Sequence, residues 1–124
     1  MSIHPGTVMI VDDDAAVRNS LKFALEIEGL DVRTYEGAAE FLADADLPAD
    51  GCLVVDYQMP LMSGIDLVST LRQQRRSYPT ILITGKINED LRGRAAMAGV
   101  RQVLEKPLSD ETLIDTIRSV LAAV

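Results

Sequence analysis

Five side chains in this 124-residue sequence could do chemistry together: Asp12, Asp13, Asp56, Thr84 and Lys106. Each directly follows a strand-like run: Thr7-Val8-Met9-Ile10-Val11 before the aspartate pair, Cys52-Leu53-Val54-Val55 before Asp56, Thr80-Ile81-Leu82-Ile83 before Thr84, and Gln102-Val103-Leu104-Glu105 before Lys106. Three carboxylates gathered at one place repel and raise each other's pKa, so the cluster implies a compensating cation. Oxygen ligands without imidazole or thiolate favour a hard divalent ion, magnesium with manganese as a substitute. Magnesium keeps water on positions the protein leaves open, and those positions can take phosphate oxygens. A lysine and a hydroxyl beside it can hold the remaining oxygens of a phosphoryl group. The nucleophile must then be a carboxylate. Asp56 stands alone at its strand end and is read as the attacking group, whereas Asp12 and Asp13 sit together and suit the metal.

The elements that must position these groups alternate along the chain. Apolar runs of strand length take turns with segments whose apolar residues recur at helical spacing, the pattern of βαβ units. After the first strand, Val17, Leu21, Ala24 and Leu25 share a helix face, with Asp14 as N-cap and Gly29 at C′. A second strand is predicted over Asp31 to Tyr35, and a helix from Gly37 to Ala45 with Ala38, Phe41, Leu42 and Ala45 inward. A Pro60 and Gly64 loop follows Asp56, then a helix from Ile65 to Arg75 with Ile65, Val68 and Leu71 inward. Asn88-Glu89-Asp90 starts a fourth helix, expected to be mobile or irregular because Gly93 inside it costs about 1 kcal/mol relative to alanine. Ser109 caps the last helix, whose inner face is Leu113, Ile117, Val120 and Leu121. Five strands and five helices predict an α/β fold, an open doubly wound parallel sheet with helices on both faces. Ligands of such sheets bind at the carboxyl ends of the strands.

Composition narrows the classes. The length suits one domain, residues 1–124. Nineteen acids against twelve bases give a net charge of −7, the wrong sign for direct nucleic-acid binding. With no Trp and 4% aromatics, stacking platforms for bases are missing and the core is expected to be aliphatic. The lone Cys52 excludes an internal disulfide and reads as a small buried hydrophobe, and no Cys or His cluster offers zinc spacing. His4 reads as inert. Arg72, Arg75 and Arg76 read as solvating the third helix and favouring its C-terminal dipole. No apolar run has the length of a membrane span, and no signal segment opens the chain, so a cytoplasmic protein with no membrane partner is expected.

Ile10-Val11-Asp12-Asp13-Asp14, Val54-Val55-Asp56-Tyr57-Gln58-Met59-Pro60 with Met62-Ser63-Gly64, Ile83-Thr84-Gly85 and Glu105-Lys106-Pro107 together resemble the receiver domain of two-component response regulators, most closely the FixJ-type regulators. Each motif alone is common; four in order at four strand ends are a strong combined signal. The resemblance implies a flavodoxin-like sheet of strand order 2-1-3-4-5. It implies a signalling switch that catalyses only its own phosphorylation and dephosphorylation, in which Asp56 accepts phosphoryl from the phosphohistidine of a sensor histidine kinase. It implies that Asp13 binds magnesium directly with Asp12 behind it through water, that Gln58 adds its backbone carbonyl, and that Thr84 and Lys106 close on the acyl phosphate. The output would be regulated transcription, with a homodimer through helix four, strand five and helix five. The rest of a FixJ-type regulator is a helix-turn-helix domain, absent from these 124 residues.

One position sets this chain apart. Val103 stands in strand five where the family usually has an aromatic, so coupling is expected to run through backbone shifts near Thr84 and helix four. Gln58 and Lys86, two residues beyond Asp56 and Thr84, flank the path of water toward an acyl phosphate, and Lys86 is expected to screen it. Among competing functions, a magnesium-dependent aspartyl-phosphate phosphatase would need an acid where Gln58 stands and a cap over its substrate. A nucleotide or flavin binder would need a glycine-rich loop where Asp12-Asp13-Asp14 would repel phosphate. For a receiver-like module that works without phosphorylation, the acidic cluster and Lys106 have no purpose.

Overall fold

A computed structural model describes residues 6–122. The chain order is β1 (Thr7–Val11), α1 (Ala15–Ile27), β2 (Asp31–Tyr35), α2 (Ala38–Ala43), β3 (Cys52–Asp56), α3 (Gly64–Gln73), β4 (Thr80–Thr84), α4 (Glu89–Ala98), β5 (Gln102–Glu105) and α5 (Asp110–Ala122). All strand pairings are parallel, in one sheet of order β2-β1-β3-β4-β5. β1, β3 and β4 are buried along their whole length, which is why their sequences are apolar without alternation.

Successive side chains of these strands feed two cores. Met9, Val11, Leu53, Val55 and Leu82 meet Phe41, Leu67, Leu71 and Leu91 on the side of α2, α3 and α4. Val8, Ile10, Val54, Ile81 and Ile83 meet Leu21, Leu25, Leu113 and Ile117 on the side of α1 and α5. Cys52 belongs to the second core, and burial raises its thiol pKa to about 12. The first core carries an aromatic patch where an aliphatic interior was expected. Phe41 is fully buried, with the rings of Tyr35 and Tyr78 edge-on at 5.0 and 6.4 Å.

Local chemistry sets the helix ends. Asp14 accepts from Ala16 N at 2.9 Å and Val17 N at 3.3 Å, starting α1 directly after the aspartate pair. Gly29, at φ 86°, closes it in a Schellman turn, donating to Glu26 O while Leu30 N donates to Leu25 O. Helix α2 ends earlier than the periodicity suggests: Ala45 is exposed in a turn. The Asp44 carboxylate ends the helix by accepting from Tyr35 Oη at 2.6 Å and from Asp46 N at 2.8 Å. Helix α3 is shifted toward its start. Ser63 and Asp66 form a capping box, so Gly64 is its first residue and not part of a loop, and Arg75, at φ 60°, lies beyond its end. Helix α4 is a continuous ten-residue helix despite Gly93, whose missing side chain faces open space. Asn88 caps its start and Gly99, at φ 92°, its end. The reading of His4 falls outside the described residues.

Candidate functional site

Parallel register aligns the carboxyl ends of four strands. Val11 lies beside Val55, Asp56 beside Ile83, and Thr84 beside Glu105, so the residues at or just after those ends share one edge. Carboxylate oxygens of Asp12, Asp13 and Asp56 lie within 4.8 Å of one another. Asp56 is only 6% exposed and has both oxygens engaged: Oδ1 accepts from Gln58 N at 3.2 Å, and Oδ2 faces Lys106 Nζ at 3.2 Å. Asp12 is 2% exposed and uses Oδ1 to accept from Asp14 N at 2.9 Å, whereas Asp13 is exposed.

Burial is the main reason the Asp12 carboxyl pKa is raised. The Asp14 N–H and Lys106 oppose the rise, and the charges of Asp56 and Asp13 add to it. Mutual repulsion was the expected cause, and it comes second to desolvation. The donor set fits magnesium: three clustered carboxylates with no imidazole or thiolate, and one lysine against three formal negative charges.

The backbone around the cluster is held tightly. Tyr57 N donates to Ile83 O at 2.7 Å, Gly64 N to Tyr57 O at 3.0 Å, and Lys106 N to Thr84 O at 2.8 Å. Gly64 is required by this closeness, because a Cβ there would sit 2.7 Å from Asp56 O and 2.8 Å from Leu82 Cδ1. Thr84 is buried, and its hydroxyl exchanges only long contacts with Lys86, 3.3 Å to the carbonyl and 3.4 Å from the N–H. Such bonds are weak enough to leave. Gln58 and Lys86 are both exposed, so the edge opens to solvent and to large partners.

All five residues singled out by type thus stand at this edge: three carboxylates clustered, Lys106 paired with Asp56, and Thr84 at the end of the adjoining strand. Arg18 supports this edge as well. Its largely buried side chain turns back to donate to Asp12 O at 2.7 Å, with Glu36 at 3.8 Å, and so fixes the loop bearing the aspartate pair. Nothing in the sequence separates it from an ordinary surface arginine of α1. Arg72 stands in the last turn of α3, as read, and also donates to Met97 O, at the end of a different helix, α4.

The family model of the response regulator receiver domain matches residues 8–118. The chain belongs to the receiver domain family. Among curated relatives, the transcriptional regulatory protein FixJ of Azorhizobium caulinodans is 41% identical over 115 residues, covering 92% of this chain and 54% of that protein. FixJ of Rhizobium meliloti is 40% identical over 111 residues, covering 90% and 54%. Among solved structures, the FixJ-N crystal structure superposes with a TM-score of 0.88 at 36% identity, covering 98% of each chain. The chemotaxis protein CheY4 of Vibrio cholerae superposes at 0.86 with 27% identity, covering 93% of this chain and 98% of that one. The receiver domain spans about half the length of the curated relatives it matches. The resemblance to FixJ-type regulators and the flavodoxin-like strand order are thereby both borne out. As a receiver, the chain is a signalling switch. No described helix is long and apolar enough to cross a membrane.

Proposed function

We propose that residues 1–124 form a single receiver domain in which Asp56 takes a phosphoryl group from the phosphohistidine of a sensor histidine kinase. The observation that carries this reading is the buried Asp56 carboxylate, paired with Lys106 and clustered with Asp12 and Asp13 at an open sheet edge. An Asp56 oxygen attacks phosphorus, the P–N bond breaks, and the imidazole leaves with the electron pair. An acyl phosphate remains on Asp56. Magnesium, when bound, would supply charge neutralisation for the phosphoryl oxygens and the carboxylates. Asp13, exposed at the mouth, and Asp56 would hold it. Asp12, buried and already bonded to Asp14 N, would support it through water, and Gln58 would add its backbone carbonyl.

Lys106 moves its charge from the Asp56 carboxylate to a phosphoryl oxygen, and Thr84 gives up its long contacts to Lys86 to donate to another. The domain thereby catalyses its own phosphorylation and dephosphorylation and no other reaction. The displaced loops alter the surface of α4, β5 and α5, where a homodimer forms, and the regulated output is transcription in the cytoplasm. The test is intact mass after incubation with acetyl phosphate, with and without magnesium, on the native protein and Asp56→Asn. A magnesium-dependent phosphoryl adduct that the variant lacks is expected. No adduct under any condition would leave a receiver that works without phosphorylation.

A further inference from the structure

Helix α4 is held on the sheet by little apolar surface. Its buried residues are Leu91 and two alanines, Ala95 and Ala98, so packing specifies its position weakly. Side chains of β5, of the bend after β3 and of α3 take part in polar contacts with it. Ahead of the helix, Ile87 N donates to Glu105 Oε1 at 2.7 Å. Midway, Arg94 Nη1 donates to Tyr57 Oη at 3.0 Å, with the guanidinium carbon 5.8 Å from the ring centre. At the end, Arg72 Nη1 donates to Met97 O at 2.9 Å. The first two contacts come from the chain neighbours of the site's ion pair: Tyr57 follows Asp56, and Glu105 precedes Lys106.

We propose that the contacts Glu105 to Ile87 and Tyr57 to Arg94 are two clamps that set the resting position of α4, and through which the state of Asp56 reaches that helix. The proposal rests on the phosphoacceptor reading. Val103, half-buried in β5, has no ring to rotate, so the signal must travel by other contacts. Both clamps are anchored where phosphorylation acts. The Tyr57 backbone is fixed to Ile83 and Gly64, and the Lys106 N–H to Thr84 O, so movement of Lys106 and Thr84 toward a phosphoryl group displaces the anchors relative to α4. The 2.7 Å bond from Ile87 N to the Glu105 carboxylate is short and charge-assisted, so it holds only while its two ends keep their separation and direction. Contacts made in only one of two states are what shift the equilibrium between them. Neither Tyr57 nor Glu105 takes part in the phosphoryl chemistry; both are positioning residues.

The test is hydrogen exchange across residues 86–98, before and after acetyl phosphate with magnesium, with intact mass recorded on the same samples. Arg94→Ala/Glu105→Ala removes both clamps at exposed side chains, and an unchanged unfolding midpoint checks its fold. In the native protein the adduct is expected to speed exchange at Ile87 by about tenfold, the scale of one charge-assisted hydrogen bond. The double variant is expected to form the same adduct, to start at the faster rate and to show no further rise. Glu105→Gln, which keeps an acceptor oxygen, and Val103→Ala retain the response. An equal rise in the double variant, or a native adduct that leaves α4 unchanged, would overturn the proposal. Absence of the native adduct would remove the phosphoacceptor reading and this inference with it.

Discussion

Replacing Asp12 with asparagine should make the metal-free protein more stable. The Asp12 and Asp56 carboxylates, 2% and 6% exposed, have oxygens within 4.8 Å of each other. At an effective dielectric constant of ~20, two unit charges at that separation repel by about 3.5 kcal/mol. Lys106, 3.2 Å from Asp56 Oδ2, and solvent at the open edge offset part of this, leaving a net gain of about 1–2 kcal/mol. Asparagine keeps the shape: its Oδ1 can still accept from Asp14 N, and its Nδ2 can donate to a neighbouring carboxylate. For a domain of this size the melting temperature should rise by about 4 °C for each kcal/mol. Thermal unfolding followed by far-UV circular dichroism, with chelator or with excess magnesium, tests it. The native protein should gain stability from magnesium and the variant much less, because a ligand that binds only the folded state stabilises it by mass action. The sign with pH is also fixed. The folded pKa of Asp12 lies above its unfolded value, so its contribution favours folding below the ordinary carboxylate range and turns unfavourable as pH rises through the raised value. The gap between variant and native protein should therefore close in acid. A metal-free variant less stable than the native protein, or a native protein unmoved by magnesium, would refute the reasoning.

Gly64→Ala should lower stability by about 1–3 kcal/mol, measured by denaturant unfolding, because the new Cβ would press on Asp56 O and Leu82 Cδ1. Cys52, buried with a thiol pKa of about 12, is about one part in ten thousand thiolate at a pH near 8; iodoacetamide should label it only when the chain unfolds, and rapid native labelling would contradict the packing. Lys86→Ala should change the decay rate of the phosphorylated form and leave magnesium affinity nearly intact, and an unchanged rate would count against its screening role.

What the sequence made legible is what period and type encode. The strands read correctly because β1, β3 and β4 are buried on both faces and cannot hide that in their composition. The Asp12, Asp13, Asp56, Thr84 and Lys106 edge followed from polar residues halting those runs. Where the reading slipped, short-range chemistry overrode periodicity. The Asp44 carboxylate ended α2 two residues before Ala45, and the Ser63 to Asp66 capping box moved the start of α3 onto Gly64. For α4, Asn88 marked the start correctly, but Gly93 counted as a weakness because intrinsic propensity carries no information on tertiary contacts. The folded chain adds the Gly99 cap and tertiary contacts that outweigh about 1 kcal/mol.

Arg18, Tyr57, Arg94 and Glu105 were illegible for a different reason. Each acts through a contact to a residue distant in sequence or to a backbone atom, and neither leaves a spacing signature. Phosphoryl chemistry constrains residue type: only a carboxylate can become the acyl phosphate, and only a cation can replace its lost partner. The link from that chemistry to a moving helix demands only that something break when the anchors shift. A ring in β5 can do this, and so can a carboxylate on an amide or a guanidinium on a phenol. With Val103 in place of a ring, and with Tyr57 and Glu105 beside Asp56 and Lys106 in the chain, the coupling in this protein sits one residue away from the chemistry on each side. Removing both clamp side chains should therefore separate phosphorylation from response, whereas Asp56→Asn removes both together.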